Sequence, residues 1–421
     1  MAMDKNLWEA VSRNNLQEVQ KILSSGRNID LNEPFVVSIH YRDGFHRHQV
    51  GNYLLQACLF SSPIVVSALV KAGANVNKSS EVVCRSVHLV EGYERKYNVT
   101  PLILAVIQRN VGLVEKLLHR CGADVNGRND AGLTALHLTV KPADGFSLFG
   151  YKKINSSRMD SSPQCEQIAS LLLEAGARVD LQDNMGQTPL HIAVMEKDVV
   201  VARMLLRHHA RVDVPNREGR TPLHESAKAL DAEMCRILTD DTEVDSSTLV
   251  NLASNDGTTP LHAAILAMAP QPHMWRAVGA DFDNCAAVVT ILIRKGANLA
   301  AEKDHFTPLH LAAEHGLVNV VKLLVEAGAD IRAETPNTGL TPLDMAEHGG
   351  NQEIIDNLTA RQESDTCERE KNKREEPSIE QEVEEEEPQK SDTPVEDILE
   401  GAVGGFEQVL VIKEEGDPIE E

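Results

Sequence analysis

The chain has 421 residues, 42% of them hydrophobic and only 4% aromatic, with a formal net charge of −23. So acidic a chain repels phosphate backbones and anionic lipid, which argues against direct binding to duplex nucleic acid or membrane. Seven cysteines form no Cys-x-x-Cys pair, and neither a signal-peptide stretch nor a run of about 18 apolar residues occurs, so reduced thiols and residence in the cytoplasm or nucleus are expected.

In chain order, Leu7-Trp8-Glu9-Ala10 through Gly26 reads as a helical pair that caps one end. A long connection, 28–52, follows. There Phe35, Val37, Ile39 and Tyr41 alternate ahead of Asp43-Gly44, the pattern of an extended hairpin. His40, His46 and His48 fall in the same stretch. No Cys or carboxylate completes a metal-binding spacing around them, so no metal or other cofactor is assigned. Tyr53-Leu54-Leu55-Gln56-Ala57 to Ala72-Gly73-Ala74 forms a second unit, and a second long connection, 77–99, carries Val83, Val87, Leu89 and Tyr93.

From Thr100 onward one tetrapeptide keeps returning. It stands as Thr-Pro-Leu-His at Thr188, Thr221, Thr259 and Thr307, with variants at Thr100-Pro101-Leu102-Ile103, Thr134-Ala135-Leu136-His137 and Thr341-Pro342-Leu343-Asp344. The unit from His305 to Asn337 shows its logic. Pro308 suits the first turn of a helix, Leu309, Ala312 and Ala313 form one apolar face, and Gly316 ends the helix. Val320, Leu323 and Leu324 make a second helix that Gly328 closes. The repeated histidines are not a metal set, because equivalent residues in stacked units lie roughly ten ångströms apart. Hydrogen bonding of each ring to its Thr and to the turn explains them.

With a basic step of 33 or 34 residues, this chain from about Asp4 to Thr359 resembles the ankyrin-repeat family. The resemblance implies an all-α repeat fold, a solenoid of about nine helix-turn-helix units with β-hairpin fingers; the composition of 360–421 adds a disordered acidic tail. The resemblance also implies a surface for binding proteins, and no reaction centre.

Insertions break the step. Connections at 28–52, 77–99 and 240–256 correspond to fingers in the family. Loops at 141–163 and 269–284 instead separate the two helices of a unit, stretching the step to 54 and 48 residues. The first loop holds Phe149 and Tyr151, the second Trp275 and Phe282. With Tyr41 and Tyr93 these are the candidate partner anchors, since exposed aromatics suit interfaces. Trp275 either anchors a partner or folds back over the helix ends.

Residues 361–421 contain 22 acidic and seven basic side chains. Few apolar residues and strong self-repulsion predict disorder. A short apolar motif returns at 398–412. Val409-Leu410-Val411-Ile412 before acidic residues is similar to a SUMO-interaction strand, with Lys413 in a SUMO-acceptor pattern, while docking on the solenoid is the alternative. Ser391 and Thr393 suit phosphorylation, and Asn126, more than Asn77, is similar to the hairpin asparagines hydroxylated in the family. Turn stabilisation is the other role for these asparagines.

No catalytic signature occurs: no Gly-x-Ser-x-Gly, no phosphate loop, no His-Glu-x-x-His. A monomeric, non-catalytic adaptor or scaffold is expected. The alternative resembles the inhibitor-of-NF-κB group, which joins ankyrin repeats to an acidic tail and masks a basic transcription-factor surface. This chain departs from that group in its higher repeat number and in lacking a paired-serine motif near its start.

Overall fold

A Thr-Pro pair starts a helix for two reasons. Threonine caps it from just outside with extended backbone, and proline occupies the first turn, where an N–H would lack a partner. In the computed structural model of the chain, residues 4–40, 46–85, 94–140, 163–240, 244–268 and 282–375 are described. Among them nine helix pairs follow one another.

The first four pairs are α1 (Lys5–Ser12) with α2 (Leu16–Ser24), α3 (Tyr53–Leu59) with α4 (Pro63–Lys71), α5 (Pro101–Ile107) with α6 (Val111–Cys121), and α7 (Ala135–Val140) with α8 (Pro163–Glu174). Next come α9 (Pro189–Met195) with α10 (Val199–Arg207), and α11 (Pro222–Lys228) with α12 (Ala232–Asp240). A single turn, α13 (Ser246–Leu249), precedes α14 (Pro260–Leu266) and α15 (Phe282–Arg294). The last pairs are α16 (Pro308–Glu314) with α17 (Val318–Glu326), and α18 (Pro342–Gly349) with α19 (Gln352–Glu375).

First helices pack on first helices in one row from α1 to α18, and second helices pack on one another from α2 to α10 and from α12 to α17. Short helices of seven to nine residues could not hold alone. Stacking buries their apolar faces in one continuous cluster from Leu7 to Leu358, with Leu190, Leu223, Leu261 and Leu309 at equivalent places in their repeats.

Two hairpins project between the early repeats. β1 (Phe35–His40) pairs antiparallel with β2 (His46–Gly51), and β3 (Ser80–Arg85) with β4 (Glu94–Val99). The first is seated at its base by Phe35 against Tyr53, ring centroids 4.8 Å apart. The second repeat lacks the Thr-Pro start, and Asn52 replaces it: its side chain accepts the Leu55 N–H at 2.8 Å.

Three expectations change. Among its described residues, the connection at 240–256 carries the helix α13 ahead of the finger turn at 254–258 in place of a long hairpin; the N-cap Asp245 accepts from the Thr248 N–H. Short polar residues that cap a helix outcompete an extended conformation here. Phe282 is the first residue of α15 and lies outside any loop. Residues 360–375, expected to be disordered, continue α19, because Glu, Arg, Lys and Gln are strong helix formers whatever their net charge. The chain divides into two units, Met1–Cys367 and Glu368–Glu421, and in the second only the end of α19 is described.

Candidate functional site

The buried histidines form a seam through the stack. In the fifth repeat Thr188 Oγ1 lies 2.9 Å from His191 Nδ1, and that nitrogen also accepts the Thr188 N–H at 3.2 Å. Accepting at Nδ1 assigns the proton to Nε2. Nε2 then donates across to the next repeat, to the carbonyl of Arg220 at 3.0 Å. His137 reaches the Gln187 carbonyl, His224 that of Thr258 and His310 that of Leu340, at 3.0 to 3.1 Å. His262 is the exception. Its Nε2 is buried without a hydrogen bond, although the carbonyl of Phe306 acts on it.

Burial lowers the pKa of all five rings, to about 4 for His137, His224 and His262, and the bonds to carbonyls oppose this only in part. The rings are neutral struts. Burial likewise pushes the Cys235 thiol up to about 12 and that of Cys285 to about 11, far from a reactive thiolate.

The finger tips make a second line of contacts. In the fifth repeat Asp183 accepts the N–H groups of Met185 and Gln187, both at 2.8 Å, and closes the turn. Asn129 and Asn216 do the same in the fourth and sixth. Successive turns are then joined by main chain: Asn184 N–H to Ala131 O at 2.9 Å, Arg217 N–H to Met185 O at 3.0 Å, and Asn255 N–H to Glu218 O at 3.0 Å. Glycine permits this approach. A Cβ on Gly186 would stand 2.7 Å from the Arg217 nitrogen.

On this platform two large apolar side chains are left outside. Met185, at the tip of the fifth finger, is 57% exposed, and Met195, at the end of α9, is 48% exposed. Gln187 sits between them in sequence and donates from Nε2 to the Met195 sulfur at 3.3 Å. Other repeats hold Ala131, Glu218, Asp256 or Asp304 at the position of Met185, and Ile107, Lys228, Leu266 or Glu314 at that of Met195. Aligning the repeats within the sequence sets Met185 apart from Glu218, Asp256 and Asp304, a signal that a search for aromatics passes over.

Models for ankyrin repeats match the sequence at 97–130, 161–248 and 274–369, more than half of the chain. The chain belongs to the ankyrin-repeat family. The ankyrin repeats are a protein–protein interaction module. Human transient receptor potential cation channel subfamily A member 1 is 25% identical over 288 residues, 68% of this chain and 21% of the channel. The p105 subunit of nuclear factor NF-kappa-B from Gallus gallus is 29% identical over 278 residues, 62% of this chain and 21% of that subunit. The ankyrin repeat domain of Bcl-3, described as a unique member of the IkappaB protein family, is similar at 24% identity with a TM-score of 0.47, over 62% of this chain and 98% of that domain. The chain thus spans about a fifth of the length of the two relatives that it matches.

Of the residues singled out in the sequence, Tyr41, Tyr93, Phe149, Tyr151 and Trp275 lie outside the described residues, as do Ser391, Thr393, Val409 to Ile412 and Lys413. Phe282 is placed by its backbone alone. Asn126 is placed fully. Its Oδ1 accepts the Arg178 N–H at 2.8 Å and ties two successive ankyrin loops, as Asn77 does with the Asp124 N–H at 2.7 Å. No helix among the described residues is long and apolar enough to cross a membrane.

Proposed function

We propose that the chain is a non-catalytic adaptor or scaffold that grips a protein partner along the fingers of repeats four to seven, with Met185 and Met195 as apolar anchors. The exposure of these two methionines, at the finger tip and first-helix end of one repeat, is the observation that supports it. Methionine is unbranched and polarizable, and it adapts to a partner surface. The backbone around it is fixed by the turn-to-turn bonds, which lowers the entropy lost on binding. Tyr41 and Tyr93 in the long fingers, and Phe149, Tyr151, Trp275 and Phe282 near the inserted segments, extend the contact. Val409 to Ile412 would serve a second partner such as SUMO, with Lys413 as its acceptor. Ser391, Thr393 and Asn126 are proposed modification sites on a monomer of the cytoplasm or nucleus.

Quantitative affinity capture with wild-type chain and with Met185→Ala/Met195→Ala tests this reading. Loss of a defined partner set at unchanged melting temperature is expected. An unchanged partner set would remove the methionine surface from the account.

A second reading rests on the p105 likeness and on the net −15 at 361–421. Here the acidic segment draws in a basic transcription-factor surface by electrostatic complementarity. Capture of a DNA-binding protein that weakens with salt and on deletion of 376–421 would favour it. Capture indifferent to both would favour the scaffold.

A further inference from the structure

The two exposed methionines carry a reactive atom that a docking surface uses only as bulk. Peroxide oxidises a thioether sulfur to a sulfoxide, and the flexible apolar side chain becomes polar. Which sulfurs react first depends on what the fold leaves open. Met185 and Met195 are exposed, whereas Met234 and Met345 are buried and Met204 and Met268 pack against the core.

Thiols compete poorly for the same oxidant. A cysteine reacts as its thiolate. Burial raises the thiol pKa of Cys58, Cys235 and Cys285, and that of the half-buried Cys121. The open sulfurs are therefore those of the fifth repeat.

Their surroundings tolerate the change. Met185 is held by its main chain: its N–H donates to Asp183 at 2.8 Å and its carbonyl accepts the Arg217 N–H at 3.0 Å. Oxidation of the side chain leaves both bonds in place. The Met195 sulfur already accepts a hydrogen bond, from Gln187 Nε2 at 3.3 Å. A thioether is a weak acceptor. The same amide is a donor beside the sulfur for the stronger acceptor, the oxygen that oxidation adds.

We propose that Met185 and Met195 form a reversible oxidation site, at which hydrogen peroxide converts both thioethers to sulfoxides and releases a bound protein from the fingers. The release rests on the reading of these methionines as anchors, and the oxidation does not. In the step, a sulfur lone pair attacks one peroxide oxygen, the O–O bond breaks, and the second oxygen leaves as water with both protons. A sulfoxide buried against an apolar partner surface loses its hydration, which opposes docking. Sulfoxide reductases reverse the step: the oxygen leaves as water while two thiols of the reductant become a disulfide.

Peptide mapping by mass spectrometry, after treatment of the full chain with dilute hydrogen peroxide, tests the site. Sulfoxide should form at Met185 and Met195 at least about tenfold faster than at Met234 and Met345, with the melting temperature unchanged. Equal rates at exposed and buried methionines overturn the proposal, as does consumption of a thiol ahead of both. Affinity capture is then repeated with oxidised chain and with Met185→Leu/Met195→Leu, which keeps the apolar volume and has no sulfur to oxidise. Peroxide should deplete the partner set of the wild type, spare that of the leucine variant, and be reversed by reductase. Equal depletion in both contradicts the switch. Retention in both, while Met185→Ala/Met195→Ala loses the set, also contradicts it but leaves the anchors standing. Capture that survives the alanine substitutions removes the anchors, and the release with them, whatever the peptide map shows.

Discussion

The fingers of repeats four to seven and the junction between repeats seven and eight are built from the same motif and joined differently. In the first region each turn is bonded to the next by main chain, and Gly132, Gly186 and Gly219 lie against the following turn. At the junction the pattern lapses. Gly257 has nothing nearer to its Cβ position than the Glu302 carbonyl at 3.8 Å. His305 stands where the earlier fingers have glycine, and the finger becomes a two-residue turn between Lys303 and Phe306, with positive φ at Asp304 and His305. His262, the strut that should cross this junction, makes no hydrogen bond at Nε2, although the Phe306 carbonyl acts on it. A salt bridge from Lys303 to Asp256 at 3.8 Å stands in their place, and such a partly exposed pair contributes little. Continuity in this stack thus depends on a glycine and a turn length, and the Thr-Pro-Leu-His element persists on both sides of the break.

The sharpest way to break the comparison is a methyl group on two glycines. Gly219 and Gly257 share a left-handed backbone, φ +77° and +78°, but a Cβ on Gly219 would lie 2.6 Å from the Asn255 nitrogen. Gly219→Ala should cost about 3 kcal/mol, as strain and overpacking combine, against about 1 kcal/mol for Gly257→Ala. Denaturant unfolding of the two variants measures the difference, and equal losses would mean that the turns are not in tight register.

Acid should act on the seam on both sides of the junction. The folded rings resist protonation to about pH 4 at His137, His224 and His262, whereas an unfolded histidine takes up its proton near pH 6.5. The unfolded state therefore binds more protons between these values. Their contribution to stability is present in full above about pH 6.5 and is lost as pH falls toward 4. Thermal melts are expected to drop by about 5–10 °C between pH 6.5 and 5. A flat profile would contradict the buried neutral state.

The smallest effect separates two histidines. His224→Ala removes a bond to the Thr258 carbonyl as well as a buried ring, and His262→Ala removes a ring that makes no such bond. The first should be worse by about 1 kcal/mol in urea unfolding.

The repeat fold was legible because Thr, Pro, Leu and His each answer a local demand that recurs: cap, first turn, core and strut. The first hairpin was legible from the alternation at Phe35, Val37 and Ile39. The helix at Ser246–Leu249 was missed, although Asp245-Ser246-Ser247-Thr248 is itself a capping sequence, because a family expectation of fingers was placed over it. The extension of the last helix to Glu375 was missed because charge was weighed above helix propensity. Met185, at a finger tip, and Met195, at a helix end, carry no motif, and their exposure depends on what the neighbouring repeats leave uncovered.

Native-state hydrogen exchange at the finger tips tests the continuity of repeats four to seven most directly. The amides of Asn184, Arg217 and Asn255 bond only across successive turns. They should exchange slowly and together, opening in the same cooperative event as the α9 and α11 helices, while the Asp304-His305 turn exchanges faster. Rapid, independent exchange at those three amides would contradict a joined platform and leave the fingers as separate loops.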